Sequence, residues 1–424
     1  MDLGTRPPRA CPPVEREDHP RVSEQRQPAA SRAGATAGLV LLALNLRGPL
    51  VAVSAVAVDL QTDLGMTAGT VGLLTSLPVL CFGLASPAAS GLIGRLGIEL
   101  SVLATLLVIF VGILVRSAGA VPAAFVGTLL IGLAITVGNL LGPLIVGRDF
   151  RSRAAVMTGT YTAALNVGSM LVLAFSGPLA AAFGWQVALA AAAVVPVLAA
   201  AVWGPLTVRA RRRPAPPVHP RTRPADEPGE ARASVFRRPS TWLLTGAFAG
   251  QAYAYYGLTA WLPTVLVDQQ GMSRGAAGAA SSIFQVAALV GAFGAPVIIN
   301  RLGGPLVSFL VNGVLWAALP LGLLLAPDLW AVWSAASGVA QGGGFVTIFT
   351  VVVWRARTLR ENRQLSSIVQ TGGYCVAAIG PTLLGALHDT TGVWTASLLT
   401  AFAGTLVLTL LGAAAAVGAR PISR

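Results

Sequence analysis

The chain has 424 residues, 54% of them hydrophobic and only 11% charged, with a mean hydropathy of +0.72. Soluble domains carry about 25% charged residues, so this composition excludes a water-soluble enzyme or binding module and asks for a bilayer. The formal charge of +13 comes from arginine alone, and its confinement to tails and alternate loops reads as membrane orientation, not as a nucleic-acid surface.

In chain order, residues 1–34 are rich in Pro, Arg and Glu without apolar periodicity, which predicts a disordered cytoplasmic tail. The first apolar run starts too late, and runs too long, for a secretory signal. Runs of helix-spanning length follow at about 36–58, 70–93, 100–115, 121–146, 154–175 and 185–203. A polar, arginine-rich stretch interrupts, and six more runs follow at about 242–267, 276–299, 305–325, 329–354, 365–387 and 393–417. The expected organisation is an N-terminal six-helix bundle at 35–204, a basic cytoplasmic linker at 205–240 and a C-terminal bundle at 241–418. A cytoplasmic tail at 419–424 completes it.

Arginine counts set the orientation. Apart from Arg47, Arg116 and Arg274, the other 26 of the 29 basic residues fall in the two tails, the central linker and the loops on the same side as these. The opposite loops carry Asp59, Asp63, Asp268, Asp328 and Asp389. Both termini are therefore expected in the cytoplasm of an inner-membrane protein, with linker arginines touching anionic lipid. An internal repeat supports two related halves. Ile93-Gly94-Arg95-Leu96-Gly97 returns as Ile299-Asn300-Arg301-Leu302-Gly303, and Gly177-Pro178 before Trp185 returns as Gly380-Pro381 before Trp394.

Arg47 stands out. It lies near the middle of the first run, where a guanidinium costs roughly 2.5–3.5 kcal/mol on insertion scales. Such a residue faces protein or water, and it reads either as the group that binds an anionic substrate or as a structural arginine neutralised by backbone carbonyls. Gly48 and Pro49 follow, which predicts a bend or loosening there. Asn45 points to another face and is expected to pack against a helix. Asn139, between Gly138 and Gly142 in a small-xxx-small spacing, binds substrate or joins helices. Tyr161 and Asn166 in the fifth run are candidates of the same kind.

The seventh run carries Gln251, Tyr253, Tyr255, Tyr256 and Trp261. Amide and aromatic groups of this type suit a wall around a small planar polar solute, with an interfacial aromatic belt as the other reading. Gln285, Gln341, Gln370 and Tyr374 are further polar groups at depth, and Gln370 and Tyr374 share a helix face. On the cytoplasmic side, Arg95 with Asp149 and Arg301 with Glu361 are candidate gate latches, with ordinary loop charge as the alternative. None of the 16 acidic residues falls mid-run. A coupling proton would therefore use His388 or the substrate's own acid–base equilibrium, unless coupling is absent. Cys11, Cys81 and Cys375 have neither metal spacing nor a disulfide pattern. Neither a catalytic cluster nor an ATP-binding loop is visible, so no cofactor and no enzymatic activity are expected.

Twelve spans in two halves, the basic linker and the repeated Arg-Leu-Gly resemble the major facilitator superfamily. Asn45-Leu46-Arg47, Gly138-Asn139 to Pro143, Trp261-Leu262-Pro263 and the stretch from Leu365 to Trp394, with Gln370, Gly373-Tyr374 and Leu387-His388-Asp389, are similar to the cyanate permease and nitroimidazole transporter family. Two departures are clear. Gly94 and Asn300 stand where the superfamily has an acid before the loop arginine, and Gly48 separates Arg47 from Pro49 where the family places proline directly after the arginine. The resemblance implies an all-α fold of two pseudo-symmetric six-helix bundles. Spans one, four, seven and ten would line a central cavity, with five, eight and eleven beside it. It implies a monomeric secondary transporter of a small anionic or polar molecule working by alternating access, or alternatively an exporter of drug-like or toxic amphiphiles.

Overall fold

The computed structural model describes residues 29–150, 154–212, 235–356 and 359–417. Most of the N-terminal tail, the middle of the linker and all of the 419–424 tail lie outside the described residues. All regular structure among the described residues is helical.

Twelve spans follow in order. Span 1 is Ala29–Ala55, span 2 is Ala68–Leu84 continued by Ser86–Leu96, span 3 is Ile98–Arg116 and span 4 is Val121–Asp149. Span 5 is Ala154–Phe183, and span 6 is Trp185–Ala191 continued by Val194–Arg212. The second half runs through span 7 (Pro239–Gln270), span 8 (Arg274–Arg301), span 9 (Gly304–Leu325) and span 10 (Trp330–Arg355). Span 11 is Leu359–Ala377 continued by Ile379–Thr391, and span 12 is Thr395–Ala416. Ten of these helices are long and apolar enough to cross a membrane, and span 2, bent by 66° at Ala85, makes an eleventh. The twelfth is span 7, 32 residues long, whose Gln251 and three tyrosines dilute its hydropathy.

Span 1 stays helical through Pro49 to Ala55 and breaks at Val56, with φ −120° and ψ 17°, before the short helix Ala57–Leu64. Arg116 corrects an expectation. It is no loop residue but the last residue of span 3, only 2% exposed, and its Nη1 donates 2.7 Å to the carbonyl of Pro49. Span 3 continues past the apolar run far enough to tie itself to span 1 there, so Arg47 is not the only guanidinium set among helices.

The repeat seen in the sequence has a structural counterpart. Trp185 at the start of span 6 donates through Nε1 to Asp63, 2.9 Å away, and Trp394 at the start of span 12 donates likewise to Asp268 at 2.8 Å. Each pair ties the end of one span to the start of the span five places on, once in each half.

Between the halves, span 2 packs along span 11, span 5 along span 8, and span 1 faces span 7. The polar links found across this interface lie in the half of the molecule farther from the termini. Asp389 accepts from the backbone N–H of Ala68 at 2.9 Å and of Gly69 at 2.7 Å, capping span 2 from the other bundle. The hydroxyls of Ser76 and Thr382 meet at 2.9 Å, and Arg274 pairs with Asp59. Gly385 makes the approach possible, since a Cβ there would strike the Trp261 ring at 2.6 Å and the backbone of Ala68.

Candidate functional site

Span 1 reaches Arg47 through a tight contact with span 5. A Cβ on Gly48 would stand 2.9 Å from Val172 Cγ2 and 3.3 Å from the carbonyl oxygen of Gly168, and one on Gly168 would collide with the backbone of Leu44. Two glycines thus let the helices close up, which brings Asn166 to the guanidinium. Arg47 Nη1 donates 2.9 Å to Asn166 Oδ1, and Asn166 Nδ2 is itself anchored on the Thr162 carbonyl at 3.0 Å.

The rest of the guanidinium faces tyrosines. Its central carbon lies 5.2 Å from the centroid of the Tyr255 ring, a cation–π arrangement. Tyr161, Tyr256 and Tyr374 stand within electrostatic range as well, so four of the five tyrosines in the chain gather around this one cation. Their rings interlock edge to face, Tyr255 with Tyr256 at 4.9 Å and Tyr256 with Tyr374 at 6.3 Å. Gly142 in span 4 leaves room for the Tyr161 ring. Arg47 has no carboxylate partner among the described residues, and its neutral neighbours leave its charge uncompensated.

A small, partly open cavity lies beside it. Span 1 contributes Arg47, Leu50, Val51 and Ser54, span 2 contributes Thr75, and span 7 contributes Tyr255, Tyr256, Thr259 and Ala260. Toward the side away from the termini, Ser54 also lines a smaller space bounded by Thr264 and Arg274. Above that space the Arg274–Asp59 pair joins the two halves.

The residues singled out in the sequence sort into three places. Arg47, Tyr255 and Tyr256 line the cavity, and Tyr161 and Tyr374 complete the cage behind them. Asn139 is half-buried on span 4, next to Gly138, which packs on Leu46, and has no hydrogen-bond partner among the described residues. Gln370 is half-buried and bonded to its own helix at Ser366, one turn from Tyr374. The others sit within helix contacts. Asn45 donates to the Leu41 carbonyl of its own helix at 2.7 Å, and its Oδ1 is buried without a partner among the described residues. Gln251 donates to the backbone of Gln341 and accepts from Trp316 Nε1, a buried bridge among spans 7, 9 and 10. Trp261 donates to the Pro381 carbonyl at 2.8 Å, where span 7 meets span 11. Gln285 stands one layer back, accepting from the Tyr255 hydroxyl at 3.4 Å and donating to Thr259 Oγ1 at 3.5 Å.

The proposed latch pairs are not joined here. Asp149 bonds Arg148, which also reaches Glu99, while Glu361 bonds Arg238 at 2.7 Å. His388 stacks on Trp394, 4.0 Å apart at 8°, with Asp268 beside it. It is thus on the periphery and not in the cavity. The residues missed in the sequence are the small hydroxyls Ser54, Thr75 and Thr259. Ser54 lies seven residues after Arg47, two helical turns on the same face, a spacing that could have flagged it.

The family model described as Major Facilitator Superfamily matches residues 36–353. The 2-nitroimidazole transporter of Escherichia coli (strain K12) is 30% identical over 379 residues, which cover 88% of this chain and 92% of that protein. The cyanate transport protein CynX of the same organism is 27% identical over 368 residues, 84% of this chain and 90% of that one. A crystal structure of a bacterial homologue of the human lysosomal transporter Spinster, inward-facing and unoccupied, superposes with a TM-score of 0.72 at 15% identity. That superposition covers 93% of this chain and 98% of the other.

Proposed function

The chain belongs to the major facilitator superfamily, and on that premise we propose a secondary active transporter whose cargo is a small planar anion or an electron-rich polar solute held at Arg47. One observation carries this reading: a guanidinium at the cavity wall, caged by tyrosines, whose charge no carboxylate among the described residues offsets. An anion entering there supplies the missing counter-charge in a setting where water is scarce and the attraction is strong. The tyrosine faces add contact area for a flat solute. Relatives named for nitroimidazole and cyanate, a nitro heterocycle and a linear anion, suit the same donor set.

Transport would proceed by alternating access, with the bundles 35–204 and 241–418 rocking about the Arg47 cavity and the basic linker 205–240 between them. The inner membrane, cytoplasmic termini and lipid contacts of the linker follow from the arginine distribution. Arg47→Ala should abolish binding of small anions, read as loss of the ligand-induced rise in melting temperature of purified protein and as loss of uptake in proteoliposomes. Unchanged uptake by Arg47→Ala would remove this residue from the site.

A further inference from the structure

We propose that the cavity selects anions that also carry a hydrogen-bond donor, an N–H or O–H, at the end opposite the negative group. The inference rests on the reading of Arg47 as the anion site and adds the second half of the ligand. It follows from where the protons of the cavity hydroxyls go. Ser54 Oγ lies 2.6 Å from the Val51 carbonyl, and Thr75 Oγ1 lies 2.8 Å from the Gly72 carbonyl. A carbonyl oxygen only accepts, so each hydroxyl spends its single proton on its own helix and turns only lone pairs toward the cavity.

The cavity is therefore polarised. Among the described residues, Arg47 keeps four of its five N–H groups free of protein partners, since only Nη1 is used, on Asn166. The Tyr256 hydroxyl beside it also has no protein partner among the described residues. This end donates. Ser54, about 10 Å further along span 1 by helical rise, and Thr75 on the facing span form an end that accepts. Thr259 sits on the third wall and accepts from Gln285 at 3.5 Å; its proton is uncommitted, so it serves either end.

A ligand with a donor satisfies both ends. A donorless anion satisfies only Arg47 and leaves two hydroxyl acceptors buried against apolar atoms, which costs affinity. The test uses an isosteric pair, 4-aminobenzoate and 4-methylbenzoate, with nitrate as a small donorless anion. Binding is measured by isothermal titration on the purified full chain. The wild type should bind 4-aminobenzoate about tenfold more tightly than 4-methylbenzoate, the sum of two neutral hydrogen bonds. Ser54→Ala combined with Thr75→Val should reduce that ratio to about one while keeping 4-methylbenzoate binding, which also shows that the variant is folded. The single variants should each lose about half of the preference on a logarithmic scale, and they stand in if the double variant does not fold. Equal binding of the two benzoates by the wild type overturns the inference and leaves the anion reading intact. Binding of nitrate without either benzoate does the same. Failure of all three to bind overturns the anion reading as well.

Discussion

At the scale of the residue, Arg47 and Asn166 form the unit on which recognition depends. Asn166 holds one corner of the guanidinium at 2.9 Å, so it fixes the plane that the remaining N–H groups present. Removing a hydrogen bond to a charged group costs about 1.5–3 kcal/mol. Asn166→Ala should therefore weaken anion binding by one to two orders of magnitude at most, measured by titration, with little change in melting temperature. Arg47→Lys keeps the charge but loses the planar fork and the reach to Asn166. Binding should fall nearly as far as in Arg47→Ala, and a lysine variant that binds normally would show that charge alone suffices. Gln285 acts through others, bonding Tyr255 and Thr259.

At the scale of the element, spans 1 and 5 are brought together by glycines, not by complementary large side chains. Gly48 occupies the position after Arg47 because the backbone of span 5 lies against it. Here the departure from a directly following proline has a physical reason, since a ring at that position would meet the same wall. Gly168→Val should push the helices apart. Overpacking of this kind costs about 1–3 kcal/mol, and because it moves Asn166 it should lower anion affinity together with the melting temperature. A variant destabilised to that degree with unchanged affinity would separate the helix contact from the site. Span 3 adds a second fastening, in which Arg116 donates to the carbonyl of Pro49.

At the scale of the whole molecule, the two bundles are clasped on the side away from the termini. Asp389 caps span 2 from span 11, and Arg274 reaches Asp59 across the interface. A carboxylate at a helix N-terminus contributes about 0.3–1 kcal/mol when exposed, a scale small enough for a clasp that opens and closes. Asp389→Ala should shift the population toward states open on that side. With Ser54→Cys as the reporter, an impermeant thiol reagent applied from that side should react faster in the Asp389→Ala background. An unchanged rate would mean that packing of span 2 on span 11 holds the closure by itself.

Much of this architecture was legible in one dimension. Run length and arginine distribution report burial in lipid, which depends on local composition, so the twelve spans, the paired halves and the exposed cost of Arg47 could be read directly. The twin Trp–Asp bonds, Trp185 to Asp63 and Trp394 to Asp268, follow the same repeat that the Gly-Pro and Arg-Leu-Gly motifs marked. What could not be read was which way each polar side chain turns. Gln251 and Asn45 look the same in sequence as a cavity residue, yet their amides are used between or along helices. Arg148, not Arg95, takes Asp149, because helix ends and loops set those distances. Ser54 and Thr75 became site residues only when spans 1, 2 and 7 were placed around one space, since a hydroxyl's role depends on the carbonyl it bonds and on what faces its lone pairs. Sequence determined how many helices cross and where a lone charge had to be sheltered; tertiary packing decided which groups share that shelter, because helix rotation and approach depend on contacts between residues far apart in the chain.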